Sequence, residues 1–216
     1  MKRVFASGTA LAVFLLVSGC FGGLKNELPA PVNYRIGAPK LAAGVPIAAD
    51  LLVAVEATAP GLDGTGIAAR FPGSRIDYLA GARWPVKIPA LIESALIEGL
   101  QDSGRLRSVQ GDFSRFRTTH TLTLEVRRFE ADYTSGEPPV AAVALTATVG
   151  RQSDRRVLAA FTVAAEEKAS ENRVSAVVAA LDAAYQRAAT EIAGKSFDAI
   201  AADLAAAQAS AANIAP

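Results

Sequence analysis

The chain has 216 residues, a formal net charge of +1, one cysteine and one histidine. Near-neutral charge argues against nucleic acid as a partner, a single cysteine excludes an internal disulfide framework, and one histidine without a second cysteine argues against a zinc site. Beyond a short N-terminal apolar run, no stretch is long and apolar enough to cross a bilayer as a helix, so the chain is not itself a helical pore.

Lys2 and Arg3 precede an apolar run from Ala10 to Val17, the charged start and short apolar centre of a secretory signal. The run ends in Val17-Ser18-Gly19-Cys20, which resembles the lipobox of bacterial lipoproteins. That resemblance implies cleavage before the cysteine and acylation of its thiol with palmitate-class chains. Residues 1–19 are thus the expected signal peptide and Cys20 the expected lipidation site; the alternatives are ordinary cleavage with a free thiol, or a cysteine buried in a short apolar helix. One acyl chain holds a protein only marginally, whereas several anchor it firmly. Lipoproteins kept in the inner membrane of many Gram-negative bacteria carry Asp where this chain has Phe21, so the lipobox resemblance implies the outer membrane, with the domain facing the periplasm.

Residues 20–49 are broken by Gly22, Gly23, Pro29, Pro31, Pro39 and Pro46 and read as a lipidated N-terminus and flexible tether, with only Asn33 to Ile36 strand-like. Fully extended, Cys20 to Asn33 would reach on the order of 40 Å. Leu51 to Glu56 is an aliphatic run typical of a buried strand. Gly64, Gly66 and Ala69 form a G-x-G-x-x-A string, but Phe71-Pro72-Gly73 follows where a phosphate-binding helix would have to run, so a connecting loop is expected. Ile67 to Phe71 and Arg75 to Tyr78 fit two short strands around Pro72-Gly73-Ser74.

Pro89 suits a first helical position, and Leu91, Ile92, Ala95, Leu96 and Leu100 follow at helical spacing before a Ser103-Gly104 stop. Trp84 is expected to anchor this helix, and Leu106 to Val109 to return as a strand. From Thr118 to Glu167 the period becomes two, predicting a three-strand meander with turns near residues 134–139 and 150–155. A second helix is expected from Ser170 or Asn172, carrying Val174, Val177, Val178, Leu181, Tyr185, Ala188 and Ile192, bent near Gly194. The folded domain is then 50–205 and residues 206–216 an Ala-rich frayed tail. The fold class is α/β of the α+β kind: a single mixed, largely antiparallel sheet covered by two main helices.

No catalytic, cofactor-binding or metal-binding set emerges. His120 lies at the start or on the inward face of a strand with threonines around it and no carboxylate at motif spacing, so a structural or surface role is expected. No G-x-S-x-G, Walker or H-E-x-x-H string is present. Arg105, Arg107, Arg115, Arg117, Arg127 and Arg128 could meet lipid headgroups, but Asp112, Glu125 and Glu130 are interleaved and a solvated surface is the simpler reading.

The succession Ile67-Ala68-Ala69-Arg70, Ile76-Asp77-Tyr78-Leu79, Ala82-Arg83-Trp84, Pro89-Ala90-Leu91-Ile92 with Leu96, and Leu100-Gln101-Asp102-Ser103-Gly104-Arg105-Leu106 resembles the ABC-type transport auxiliary lipoprotein family, the paraquat-inducible protein C-like components of MCE-type lipid transport systems (MCE, mammalian cell entry domain). The resemblance implies a non-enzymatic lipoprotein that docks on an MCE-domain protein of an ABC system moving lipid across the periplasm. It singles out Tyr78, Arg83 and Trp84 as partner contacts or structural anchors. Membrane association is through the lipid anchor, no cofactor is implied, and a homo-oligomer is compatible. The rivals are a lipid-anchored envelope enzyme and a structural or assembly lipoprotein that binds peptidoglycan or another envelope machine.

Overall fold

Residues 30–114 and 116–213 are described by the structure, a computed structural model; Cys20 and Arg115 lie outside them. Strands β1 (Val32–Asn33), β2 (Ile47–Thr58), β3 (Gly66–Phe71) and β4 (Arg75–Arg83) lead to helix α1 (Ile88–Asp102). Strands β5 (Leu106–Gly111), β6 (His120–Asp132), β7 (Val140–Arg151) and β8 (Arg156–Lys168) precede helix α2 (Val174–Ala212). Eight strands form one mixed sheet, the α/β class expected.

β6 is the axis of that sheet. β7 runs antiparallel along one edge of it, and β8 antiparallel beyond β7. Along the other edge two strands lie end to end, both parallel to β6: β2 beside His120–Val126 and β3 beside Glu130–Asp132. β5 adds parallel outside β2; β4 pairs antiparallel with β3, and β1 parallel with β4.

A bulge in β6 joins the two halves. Val126 faces Leu145 while Arg128 faces Ala144, so Arg127 is an extra residue. Side chains alternate along a strand, so the insertion moves the core face from Leu122, Leu124 and Val126 to Phe129 and Ala131. Phe129 thereby reaches Trp84, with ring centroids 5.6 Å apart.

Both helices cover the same face of the sheet. Pro89 occupies the first turn of α1, where a missing N–H is harmless. Ile88, Leu91, Ile92, Leu96 and Leu100 of α1 share one core with Leu181, Tyr185 and Ile192 of α2 and with Leu51, Val53, Leu122 and Leu145 of the sheet. Each fully buried Leu or Ile contributes about 1.5–3 kcal/mol. Tyr185 Oη donates to the carbonyl of Ile92 at 3.4 Å, linking the helices, and burial pushes its pKa up.

Part of the expected tether is ordered structure. Val32–Asn33 pairs with β4, Ile36 is buried, and the Gly37 amide donates to Asp182 Oδ1 of α2 at 2.8 Å. Pro39 lies directly on α1 at Gly99, where a Cβ would come within 2.5 Å of the proline ring. Extended Pro-rich backbone makes a packed strap as readily as a linker, which composition alone does not distinguish.

Helix α2 also departs from expectation. It starts at Val174, because Asn172 Oδ1 accepts from Tyr133 Oη at 3.0 Å instead of capping. It runs without interruption past Gly194 and through residues 206–212, expected as a frayed tail. Alanine is the strongest helix former, and a Cβ at Gly194 would meet nothing within 4 Å, so neither residue type breaks the helix there.

Candidate functional site

Two regions carry polar or exposed side chains that packing alone does not explain. The first is the β3–β4 hairpin with β1, which extends the sheet beyond the helices. Every residue of β4 except Leu79 and Ala82 is exposed.

Tyr78 is 48% exposed, although its ring lies over Gly66 so closely that a Cβ there would come within 2.4 Å of it. Its hydroxyl donates to the carbonyl of Gly61 at 3.0 Å. That packing accounts for a glycine at position 66. Arg83 is exposed and its Nε donates to Asn33 Oδ1 at 2.9 Å, tying β4 to β1. Exposed Val32, Ile76 and Val86 lie on or beside the same strands.

Trp84 is the opposite case, wholly buried against Phe129. Its backbone amide donates to Thr65 at 2.7 Å, and that of Ile88 to Gly64 at 3.2 Å, so the glycine string is a loop stitched to the start of α1. The string opens β3 rather than a helix. Of the three residues singled out by sequence, the structure buries Trp84 in the core and leaves Tyr78 and Arg83 on the surface of one strand.

The second region surrounds His120, which is 2% exposed. Its Nδ1 lies 2.9 Å from Thr119 Oγ1 and its Nε2 3.3 Å from Asp203 Oδ2. Asp203 Oδ1 in turn accepts from Arg151 at 2.9 Å, and Arg151 also binds Asp154 at 2.7 Å. The hydrogen bond from Arg151 lowers the pKa of Asp154 to about 2. Thr119, His120, Arg151 and Asp203 line an open groove of ≈ 460 Å³ with Thr118, Gln152 and Leu204.

Sequence reasoning missed this carboxylate because Asp203 is 83 residues from His120 on an alanine-rich helix. The chain of hydroxyl, imidazole and carboxylate is not arranged as a nucleophile system. Thr119 Oγ1 also meets the amide and carbonyl of Asp50 at 3.0 and 3.1 Å, so the hydroxyl is committed to strand pairing. What the cluster does is fasten the C-terminal part of α2 to the ends of β6 and β7.

Three of the arginines singled out by sequence, Arg107, Arg127 and Arg128, are ion-paired. Arg107 binds Asp50, and this hydrogen bond holds the Asp50 carboxyl below the usual carboxylate range. Arg128 joins Glu130 at 3.0 Å, Asp132 at 2.6 Å and Glu166 at 3.3 Å across β6 and β8. Arg127 meets Glu125 at 3.0 Å, and Arg105 lies over the Phe197 ring at 4.2 Å. Arg117 is exposed. Among the described residues no group of three carboxylates, imidazoles or thiols converges as a metal site requires.

The family model of the ABC-type transport auxiliary lipoprotein component matches residues 36–193. The crystal structure of a Xanthomonas campestris protein of the DUF330 family is similar, with 28% identity and a TM-score of 0.67 over 79% of this chain and 94% of that one. The crystal structure of an uncharacterized protein shares the fold, with 14% identity and a TM-score of 0.59 over 77% of this chain and 99% of that one. No curated protein matches the chain.

Proposed function

The chain belongs to the ABC-type transport auxiliary lipoprotein family, and from that premise we propose that it serves an MCE-type ABC system moving lipid across the periplasm. In this reading Cys20 is acylated, the protein is held at the outer membrane, and its domain docks on the MCE-domain protein instead of turning over a substrate. The observation that carries the reading is the family match, which runs from the strap at Ile36 to Ala193 in α2 and so takes in every strand from β2 to β8.

The surface of β4 supports docking. Half-exposed aromatics and arginines are the residue types that most often dominate interfaces, and Tyr78 and Arg83 sit on a strand that the helices leave bare. A membrane anchor would raise the local concentration of any partner bridging the periplasm, so a modest intrinsic affinity would suffice. Crosslinking in cells followed by purification should recover an MCE-domain protein. Recovery of peptidoglycan or a different envelope machine alone would replace this partner.

The enzyme reading has one observation in its favour, the contact between His120 and Asp203 beside a groove. If the purified protein hydrolysed an envelope substrate, and His120→Ala abolished that activity with the fold intact, catalysis would displace docking.

A further inference from the structure

β5 and β6 run parallel on opposite sides of β2, so residues 112–119 must cross β2 to connect them. Parallel strands usually need a connection of a dozen or more residues. This one is shorter, and both of its roots are tied down.

At one root the Ser114 amide donates to Gly111 at 3.0 Å, Ser114 Oγ pairs with the Gln110 side chain, and the Asp112 amide donates to the Glu93 carboxylate of α1. At the other, the Thr119 amide donates to Asp50 at 2.8 Å and the Gln152 amide to Thr119 at 2.9 Å. Between these fixed points Phe113 is 99% exposed and Phe116 82% exposed. The other described phenylalanines, Phe71, Phe129, Phe161 and Phe197, are all buried or half-buried.

We propose that Phe113 and Phe116 are membrane contacts that insert into the interfacial layer of a phospholipid bilayer. Their polar neighbours Asp112, Ser114, Arg117 and Thr118 form no apolar rim that would complete a protein-binding patch. Isolated rings find a match in a soft phase, which needs no complementary shape. Aromatic side chains beside an exposed cation are the composition of membrane-interface anchors.

Geometry permits the contact, on the reading above that Cys20 is acylated. The chain from Cys20 to Val32 spans at most about 40 Å. Val32 lies level with Phe129 through β4 and β3, roughly 30 Å along the sheet from the loop. The β3–β4 turn lies beyond the opposite end of β6, so a bilayer at the loop leaves that hairpin free for a protein partner.

The test places a nitroxide on the full chain, purified from membranes and mixed with an excess of phosphatidylethanolamine–phosphatidylglycerol vesicles. Phe113→Cys and Phe116→Cys carry the label in turn, with Thr162→Cys on the exposed side of β8 as the aqueous reference. Both loop residues are exposed, so these substitutions leave the core intact. Accessibility to oxygen relative to a water-soluble nickel chelate should be several-fold higher at 113 and 116 than at 162. Ratios at 113 and 116 equal to that at 162 overturn the proposal, as does protection from both reagents, the signature of a protein contact. Intact mass reports acylation of Cys20 separately: an unacylated chain sinks the anchor reading, and the same three labels on a Cys20→Ser background, which has no second thiol, then decide for or against the loop.

Discussion

The two wings of this sheet meet at the Arg127 bulge and are finished differently. On the β6–β7–β8 side, Leu122, Leu145 and Val149 lie beneath α2 and are at most 1% exposed. On the β3–β4–β1 side, β3 is buried between its neighbours while β4 presents most of its residues to solvent. One wing is built for stability and the other leaves side chains available for contact. The difference shows that a motif residue's role follows from its position relative to the helices, since Tyr78 and Trp84 are six residues apart yet lie on opposite sides of that division.

The sharpest way to break the comparison is at the boundary. Trp84→Ala removes a wholly buried ring that packs on Phe129 at the junction of the wings, and should cost about 3–5 kcal/mol in denaturant unfolding. An unchanged midpoint would mean that the tryptophan does not hold the wings together. Next in size is Asp203→Ala, which strands buried His120 and leaves Arg151 with only Asp154. A loss of about 1–3 kcal/mol is expected, with amide-exchange protection falling first in α2 beyond Ile200. Uniform loss of protection along α2 would contradict a local fastening role.

Acid should act through the carboxylates. Arg107 holds Asp50 low; burial pushes Asp132 up, but the Thr134 hydrogen bonds and the charges of Arg128 and Arg70 outweigh it and lower its pKa. A depressed folded pKa contributes stability that is complete above the unfolded value near ~4 and is lost as pH falls through the folded value. The unfolding midpoint should therefore hold at neutral pH and drop below about pH 4. Asp132→Asn should flatten that drop. The smallest stability effects belong to the exposed wing: Tyr78→Ala, which loses the packing on Gly66 and one hydrogen bond, should cost about 1–2 kcal/mol, and Arg83→Ala no more than about 1 kcal/mol.

Much of this fold was legible because local patterns agreed with tertiary packing. Alternation at Leu122, Leu124 and Val126, and again at Val143, Leu145 and Ala147, gave the correct strands and the correct inward face. Pro89 and the Ser103-Gly104 stop gave α1 almost to the residue. What stayed hidden depends on distant partners. Pro39 reads as linker until Gly99 is seen beneath it, and His120 lacks a carboxylate until α2 carries Asp203 across. The bulge at Arg127 was equally invisible, because a single inserted residue is defined only by the strand opposite. For the β4 surface, sequence pointed to Tyr78, Arg83 and Trp84 together, and only burial separates the two exposed residues from the structural one.

The central claim is that the uncovered wing is the docking surface. A photo-crosslinking amino acid at position 78 in cells, compared with one at Thr162 on β8, tests it most directly. The account predicts an MCE-domain protein captured from position 78 and lost when Arg83→Glu is added, with little or no capture from position 162. Capture of that protein from 162 and not from 78 would place docking on the other wing and contradict the account.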